Sequence, residues 1–101
     1  VQFAENEDLL VVIVLTVRPG RQQELVDALR AAGDPATVPG LRSVTLLRSE
    51  DGTRVVNQLR WADRQAYLAA RDHPLVAGAR AAVQPLIERA DTDLYRTVSP
   101  R

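Results

Sequence analysis

DGTRVVNQLRWADRQAY, residues 51–67, reads in order as a turn, a strand and the start of a helix. Asp51-Gly52 is a hairpin signal, because glycine takes a positive φ without steric cost. From Thr53 to Trp61 the residues alternate. Thr53, Val55, Asn57, Leu59 and Trp61 fall on one face, and Arg54, Val56, Gln58 and Arg60 on the other. The odd face is the more apolar and is expected to look inward. That places Asn57 among inward residues, where an amide must find partners or bind something. Trp61 closes the same face, and Tyr67 follows on the next helix. An amide, an indole and a phenol around one apolar space make a candidate small-molecule site.

Outward from this stretch, Leu9 to Val17 (LLVVIVLTV) is apolar on both faces and rich in β-branched residues, the pattern of a strand buried on both sides. Arg18-Pro19-Gly20 breaks it. Arg21 to Ala32 has helical spacing, with Leu25, Ala28, Leu29 and Ala32 on one face and Gly33 as the stop. A second strand is expected over Leu41 to Ser49. Asp63 offers an N-cap for a helix from Arg64 to about Arg71. Pro74 opens another helix, to about Arg89, bent at Pro85. Asp91 to Val98 reads as the last strand, with Leu94 and Tyr95 on opposite faces.

The order β-α-β-β-α-β is the split βαβ, ferredoxin-like α+β arrangement with an antiparallel sheet. Residues 9–98 form the expected single domain. Residues 1–8, acidic and without periodicity, are set apart as an N-terminal extension, and 99–101 as a tail. Helices cover one face of such a sheet. The other, assigned Leu10, Val12, Val14, Leu46 and Val56, needs a cover. A second copy of the chain packed sheet against sheet is the expected one. The alternative is the N-terminal segment folded back.

Composition narrows the chemistry. At 101 residues the chain has one modest core. Thirteen basic residues, all arginine, balance thirteen acidic ones. Neither nucleic acid nor an anionic membrane is therefore an expected partner. With no lysine there is no Schiff-base chemistry, and with no cysteine no disulfide, thiolate nucleophile or thiolate metal ligand. One histidine, His73, rules out a histidine-rich metal site within one chain. No apolar run has the length of a membrane span and no signal-peptide pattern is read, so the cytoplasm is the expected compartment.

VPGLRSVTLLRSEDGTRVVNQLRWADRQAY, followed by HPLVAGARAAVQPL, resembles the antibiotic biosynthesis monooxygenase family. The likeness runs from about Leu9 to Val98. It rests on Pro39-Gly40, the Asp51-Gly52 hairpin, and Val55-Val56-Asn57 leading to Trp61 and Tyr67. It implies a dimeric α+β barrel, and it is nearest to the cofactor-free enzymes that oxidise a phenol or anthrone of aromatic polyketide pathways to a quinone. Carried onto this sequence, the resemblance implies a catalytic pocket of Asn57, Trp61, Tyr67 and Arg80, with no metal, flavin or haem. Haem-degrading members have an asparagine on the first strand and a histidine on the last helix. Leu15 and Ala79 stand at those positions, which counts against haem.

Each candidate also has a structural reading. Asn57 can be a core amide bonded to backbone, Trp61 a plug at the end of the core, and Tyr67 a helix residue with a wet hydroxyl. Arg80 can snorkel to solvent from an apolar stem. His73 has the side chain suited to base work near neutrality and is assigned to substrate binding, yet a histidine before proline is often a helix cap. Tyr95 is assigned to substrate binding, with the dimer interface as its alternative. The leading expectation is an enzyme consuming molecular oxygen and an aromatic substrate. The alternatives are an isomerase, cyclase or decarboxylase on a similar ring, and a non-catalytic small-molecule-binding dimer.

Overall fold

A computed structural model describes residues 8–98; residues 1–7 and 99–101, which take in most of the N-terminal extension and all of the tail, lie outside the described residues. The chain runs β1 (Leu9–Val17), α1 (Gln22–Arg30), β2 (Leu41–Arg48), β3 (Arg54–Trp61), α2 (Arg64–Ala69), α3 (Pro74–Val83) and β4 (Ile87–Arg96). Short 3₁₀ turns occupy Pro35–Thr37, Ala70–Asp72 and Gln84–Leu86. The strands form one antiparallel sheet in the order β2-β3-β1-β4. This is the ferredoxin-like α+β fold.

β1 is central because it alone is apolar on both sides. Leu9, Val11, Leu15 and Val17 are buried on the helix side, and Leu10, Val12 and Val14 are half-buried on the other. β3 lies against it with Leu9 opposite Trp61, Val11 opposite Leu59, Ile13 opposite Asn57 and Leu15 opposite Val55. Opposed residues share a face, so the odd positions of both strands point toward the helices.

The β2–β3 hairpin is built around Asp51. Its Oδ1 accepts from the Thr53 N–H at 3.0 Å, the Thr53 hydroxyl at 2.7 Å and the Ser49 hydroxyl at 2.8 Å. Those bonds favour the carboxylate, with Thr53 the largest influence, and hold its pKa down at about 2. Gly52 takes the positive φ, 79°. Gln22 of α1 reaches across to the hairpin, donating to the carbonyls of Ser49 at 3.0 Å and Arg54 at 2.9 Å.

Three expectations are corrected. The hairpin register pairs an even position of β2 with an odd one of β3. Leu46 therefore sits opposite Asn57 on the helix side, and Leu47, opposite Val56, is the β2 residue on the open face. The last helix does not bend through Pro85 to Arg89. It ends at Val83, because proline supplies no N–H to continue the ladder. The last strand accordingly starts at Ile87, not Asp91. Pairing with β1 overrides the weak strand propensity of Arg89 and Ala90, and Glu88 is the extra residue at a register shift.

Two hydrophobic clusters lie between sheet and helices. One gathers Leu15, Val17, Leu25, Val55, Val83 and Ile87 under α1 and the end of α3. The other gathers Leu9, Val11, Val38, Trp61 and Ala70 under α2 and the turn after it. Ile13 packs against both. The second cluster depends on Gly40, at φ 80°, whose carbonyl accepts from the Ala62 N–H at 2.8 Å. A Cβ at Gly40 would run into the Ala66 methyl group. Gly40→Ala is expected to lower stability by about 2–3 kcal/mol, through the left-handed backbone and the clash together. Adding Ala66→Gly should return only the clash component, measured as urea midpoints of the single and double variants.

Candidate active site

The middle rung of the sheet is not filled. Leu46, Asn57, Ile13 and Thr92 lie side by side across β2, β3, β1 and β4, facing the helices. Above them is a cavity of about 760 Å³, roofed by residues of α2, α3 and the segments joining them. Small-molecule sites typically span roughly 300–1,000 Å³. The lining is mainly aliphatic, with a few polar groups set into it.

β3 supplies the floor. Asn57 and Trp61 are four residues apart, about 13 Å along an extended strand, and Leu59 lies between them on the same face. Trp61 is 3% exposed. Its Nε1–H and the Asn57 Oδ1 are both inaccessible to water and have no hydrogen-bond partner. A buried donor or acceptor left unpaired costs roughly 1–3 kcal/mol, so two of them in one wall require an explanation. An amide used as a core bracket would be bonded to backbone, and Asn57 Oδ1 is not.

Tyr67 reaches the cavity from α2. Asp63 caps that helix, its Oδ1 accepting from the Ala66 N–H at 2.8 Å. One turn on, the Tyr67 ring meets Trp61 with centroids 6.0 Å apart and planes tilted by 58°, an edge-to-face type of contact. Arg80 lines the cavity from α3, sharing that helical face with Val76 and Val83. Its guanidinium is exposed, and Nη2 donates to the Arg71 carbonyl at 3.4 Å. The structure thus brings Asn57, Trp61, Tyr67 and Arg80 to one space.

It does not bring His73 or Tyr95 there. His73 is the N-cap of α3: Nδ1 accepts from the Leu75 N–H at 3.1 Å, and Nε2 lies 3.2 Å from the Thr37 carbonyl. With Nδ1 accepting, Nε2 carries the proton and donates to Thr37. Both ring nitrogens are then committed to holding helix and loop, which leaves none for a substrate. Tyr95 sits opposite Leu10 on the other side of the sheet and is half-exposed. Ile87 faces the helices opposite Val17, a register shift at Glu88 then switches the faces, and beyond it the even residues Ala90, Thr92 and Leu94 face the helices opposite Leu15, Ile13 and Val11.

Sequence reasoning missed Thr92, Gln84 and Arg71, all of which line the cavity. Thr92 alternates with Ala90 and Leu94, so it shares their face, but the register shift at Glu88 that turns this face inward has no signal in the alternation. Gln84 and Arg71 lie in 3₁₀ turns, where side-chain periodicity carries no signal. Leu15 and Ala79, the positions set against haem, also line the cavity and bring no donor atom to it. Among the described residues no group of three or more His, Asp or Glu is placed to hold a metal ion, and no helix is long and apolar enough to cross a membrane.

Residues 8–82 match the family model of the antibiotic biosynthesis monooxygenases. Among solved structures, SnoaB, a cofactor-independent oxygenase from Streptomyces nogalater crystallised as a point mutant, is similar at 26% identity. It superposes with a TM-score of 0.76 over 89% of this chain and 92% of that one. Rv0793 from Mycobacterium tuberculosis is 27% identical, with a TM-score of 0.76 over 93% and 95% of the two chains. A putative antibiotic biosynthesis monooxygenase from Bordetella bronchiseptica, 16% identical, shares the fold with a TM-score of 0.83 over 93% of this chain and 100% of that one. No curated protein matches the sequence.

The unpaired floor has a measurable consequence. Asn57→Leu exchanges an unsatisfied amide for an aliphatic side chain of similar size among Ile13, Leu46 and Leu59. It is expected to raise stability by about 1–2 kcal/mol. An asparagine that braced the fold would give the opposite sign, and chemical denaturation of the two proteins distinguishes them.

Proposed function

The chain belongs to the antibiotic biosynthesis monooxygenase family, and on that premise we propose that it oxidises a polycyclic phenol or anthrone to a quinone with molecular oxygen, without a metal, flavin or haem. The observation that carries this reading is a mainly aliphatic cavity lined by Asn57, Trp61, Tyr67 and Arg80, with Asn57 Oδ1 and Trp61 Nε1 left buried and unpartnered in its floor. The similarity to a cofactor-independent oxygenase supports it.

The reaction needs an electron-rich substrate. An anthrone loses a proton to give an anion, which passes electrons to dioxygen. Its methylene carbon gains one oxygen atom as a carbonyl, and the second oxygen leaves as water with the two hydrogens removed. The protein's part is to keep the ring dry and to favour the anion. Leu59, Ile13 and Val76 take the ring faces. The Asn57 amide serves both protonation states, since Oδ1 accepts from the neutral hydroxyl and the amide N–H donates to the oxyanion. The indole N–H donates to a second ring oxygen, and Tyr67 holds the indole by its edge contact. Arg80 stabilises the anion by Coulomb attraction.

Oxygen uptake with dithranol, corrected for autoxidation, tests the reading. Protein-dependent uptake with quinone formation is expected. Asn57→Ala should slow it on the order of a hundredfold, the usual scale for one lost oxyanion donor, and Trp61→Phe by less. Uptake unaffected by either change would take those side chains out of the mechanism. No uptake with a set of anthrones and quinols would turn the reading toward a non-oxidative enzyme or a binding protein.

The same proposal includes a homodimer formed through the open face of the sheet. Leu10, Val12, Val14, Leu47, Val56 and Tyr95 lie together there. Asp93 flanks them on the β4 side, where Asp91 is paired with Arg89, and Arg54 and Arg60 flank them on β3, so that two-fold rotation would bring Asp93 toward an arginine of the partner copy. Val14→Arg is expected to give a monomer by analytical ultracentrifugation. A dimer that survives the substitution would place the interface elsewhere.

A further inference from the structure

Three polar side chains stand in the sheet floor of the cavity, and the proposed reaction uses only two of them. Asn57 and Trp61 belong to β3; the third, Thr92, belongs to β4. Thr92 pairs with Ile13, which pairs with Asn57, so the threonine and the amide share one rung with an isoleucine between them. Adjacent strands lie about 4.8 Å apart, which separates the two Cα atoms by about 10 Å. The neighbours of Thr92 on the same face of β4, Ala90 and Leu94, are apolar. The Thr92 hydroxyl makes no hydrogen bond among the described residues. Thr92 and Ala90 are exposed although they face the helix layer, so the cavity opens to solvent along β4. Valine would serve the strand as well as threonine does, and strand propensity therefore gives the hydroxyl no role.

A free hydroxyl at the rim of an aliphatic floor both donates and accepts, and so can meet a hydroxyl carried by the ligand. The rung sets the distance. With a central-ring oxygen at Asn57, hydrogen bonds leaning inward from the two side chains shorten the span to about 6 Å between ligand oxygens. A linear tricycle has that separation between a central-ring oxygen and a hydroxyl at the outer corner of a terminal ring. A hydroxyl peri to the central oxygen is far too close to it, and bonds to it internally. We infer that Thr92 is a specificity-determining residue that recognises a hydroxyl at the outer edge of the terminal ring and so fixes which way round the tricycle lies. This inference rests on the reading of the cavity as the substrate site. It adds a third contact in the floor, and with it a direction across the strands from β3 toward β4.

Trp61 is the only tryptophan and lines the cavity, so quenching of its emission reports occupancy. The probes are 2-hydroxyanthraquinone and its 1-hydroxy isomer, in mildly acidic buffer where both phenols are neutral. The wild-type protein is expected to bind the 2-hydroxy isomer roughly three- to tenfold more tightly, the scale of one hydrogen bond. Thr92→Val keeps the shape and removes the hydroxyl, and should lower that ratio by about threefold or more. Thr92→Ser keeps the hydroxyl and should retain most of the ratio. Urea midpoints of both variants close to the wild type's would confine the change to the site. Equal binding of the two isomers by the wild type, a ratio unchanged in Thr92→Val, a ratio lost equally in Thr92→Ser, or no saturable quenching by either probe overturns the inference. The result is separable from the oxygenase reading. Isomer-selective binding by a protein that consumes no oxygen would sink that reading alone, and oxygen uptake without discrimination between the isomers would sink this one alone.

Discussion

The antiparallel register that sets Ile13 opposite Asn57 governs the rest of the structure. A side-chain period of two means that this one pairing decides the face of every residue in β1 and β3. It directs Val11, Leu15, Val55 and Leu59 to the helices, along with Trp61. It sends Leu10, Val12, Val14 and Val56 to the open face. A slip of one residue would expose the core and bury Arg54 and Arg60. The apolar excess on the odd face of β3 and the double-sided apolarity of β1 make any such slip costly.

The same rung is where the core divides. A protein this small would be expected to fill the space between sheet and helices completely. Here two separate clusters form, and Ile13 touches both. The space between them is kept open by helices held at their ends: Asp63 caps α2, His73 caps α3, and Gly40 admits Ala66 to close contact. Packing that stabilises the two ends leaves the centre unfilled, with an amide oxygen and an indole N–H unpaired in its wall. Such local violations of good packing and polar satisfaction are characteristic of sites where stability has been exchanged for function.

His73 shows why residue type alone misleads. An imidazole is the obvious candidate for proton transfer near neutrality. Placed directly before Pro74, at φ −63° and ψ 134°, it is instead held by the Leu75 N–H and the Thr37 carbonyl. It ties the loop after α1 to the start of α3 and so bears on the shape of the cavity without entering it. Tyr95 and Leu46 mislead for a different reason. Both lie on strands whose alternation was legible, but the face each strand turns inward depends on where pairing begins. In β4 the face is switched by the register shift at Glu88, and in the hairpin it is set by an even-to-odd register.

By itself the sequence determined the element order, the central place of β1, the Asp51-Gly52 hairpin and the inward direction of Asn57 and Trp61. Each of these follows from local rules: period-two alternation, β-branched runs, glycine at positive φ, and caps next to the residues they cap. Tertiary structure alone decided that the centre of the core is hollow, that Asn57 Oδ1 and Trp61 Nε1 have no hydrogen-bond partner, and that Arg71 lines the cavity along with Arg80. Those facts depend on how helices from distant parts of the chain settle over the sheet. The spacing between layers comes from the sum of all their contacts, and no local pattern encodes it.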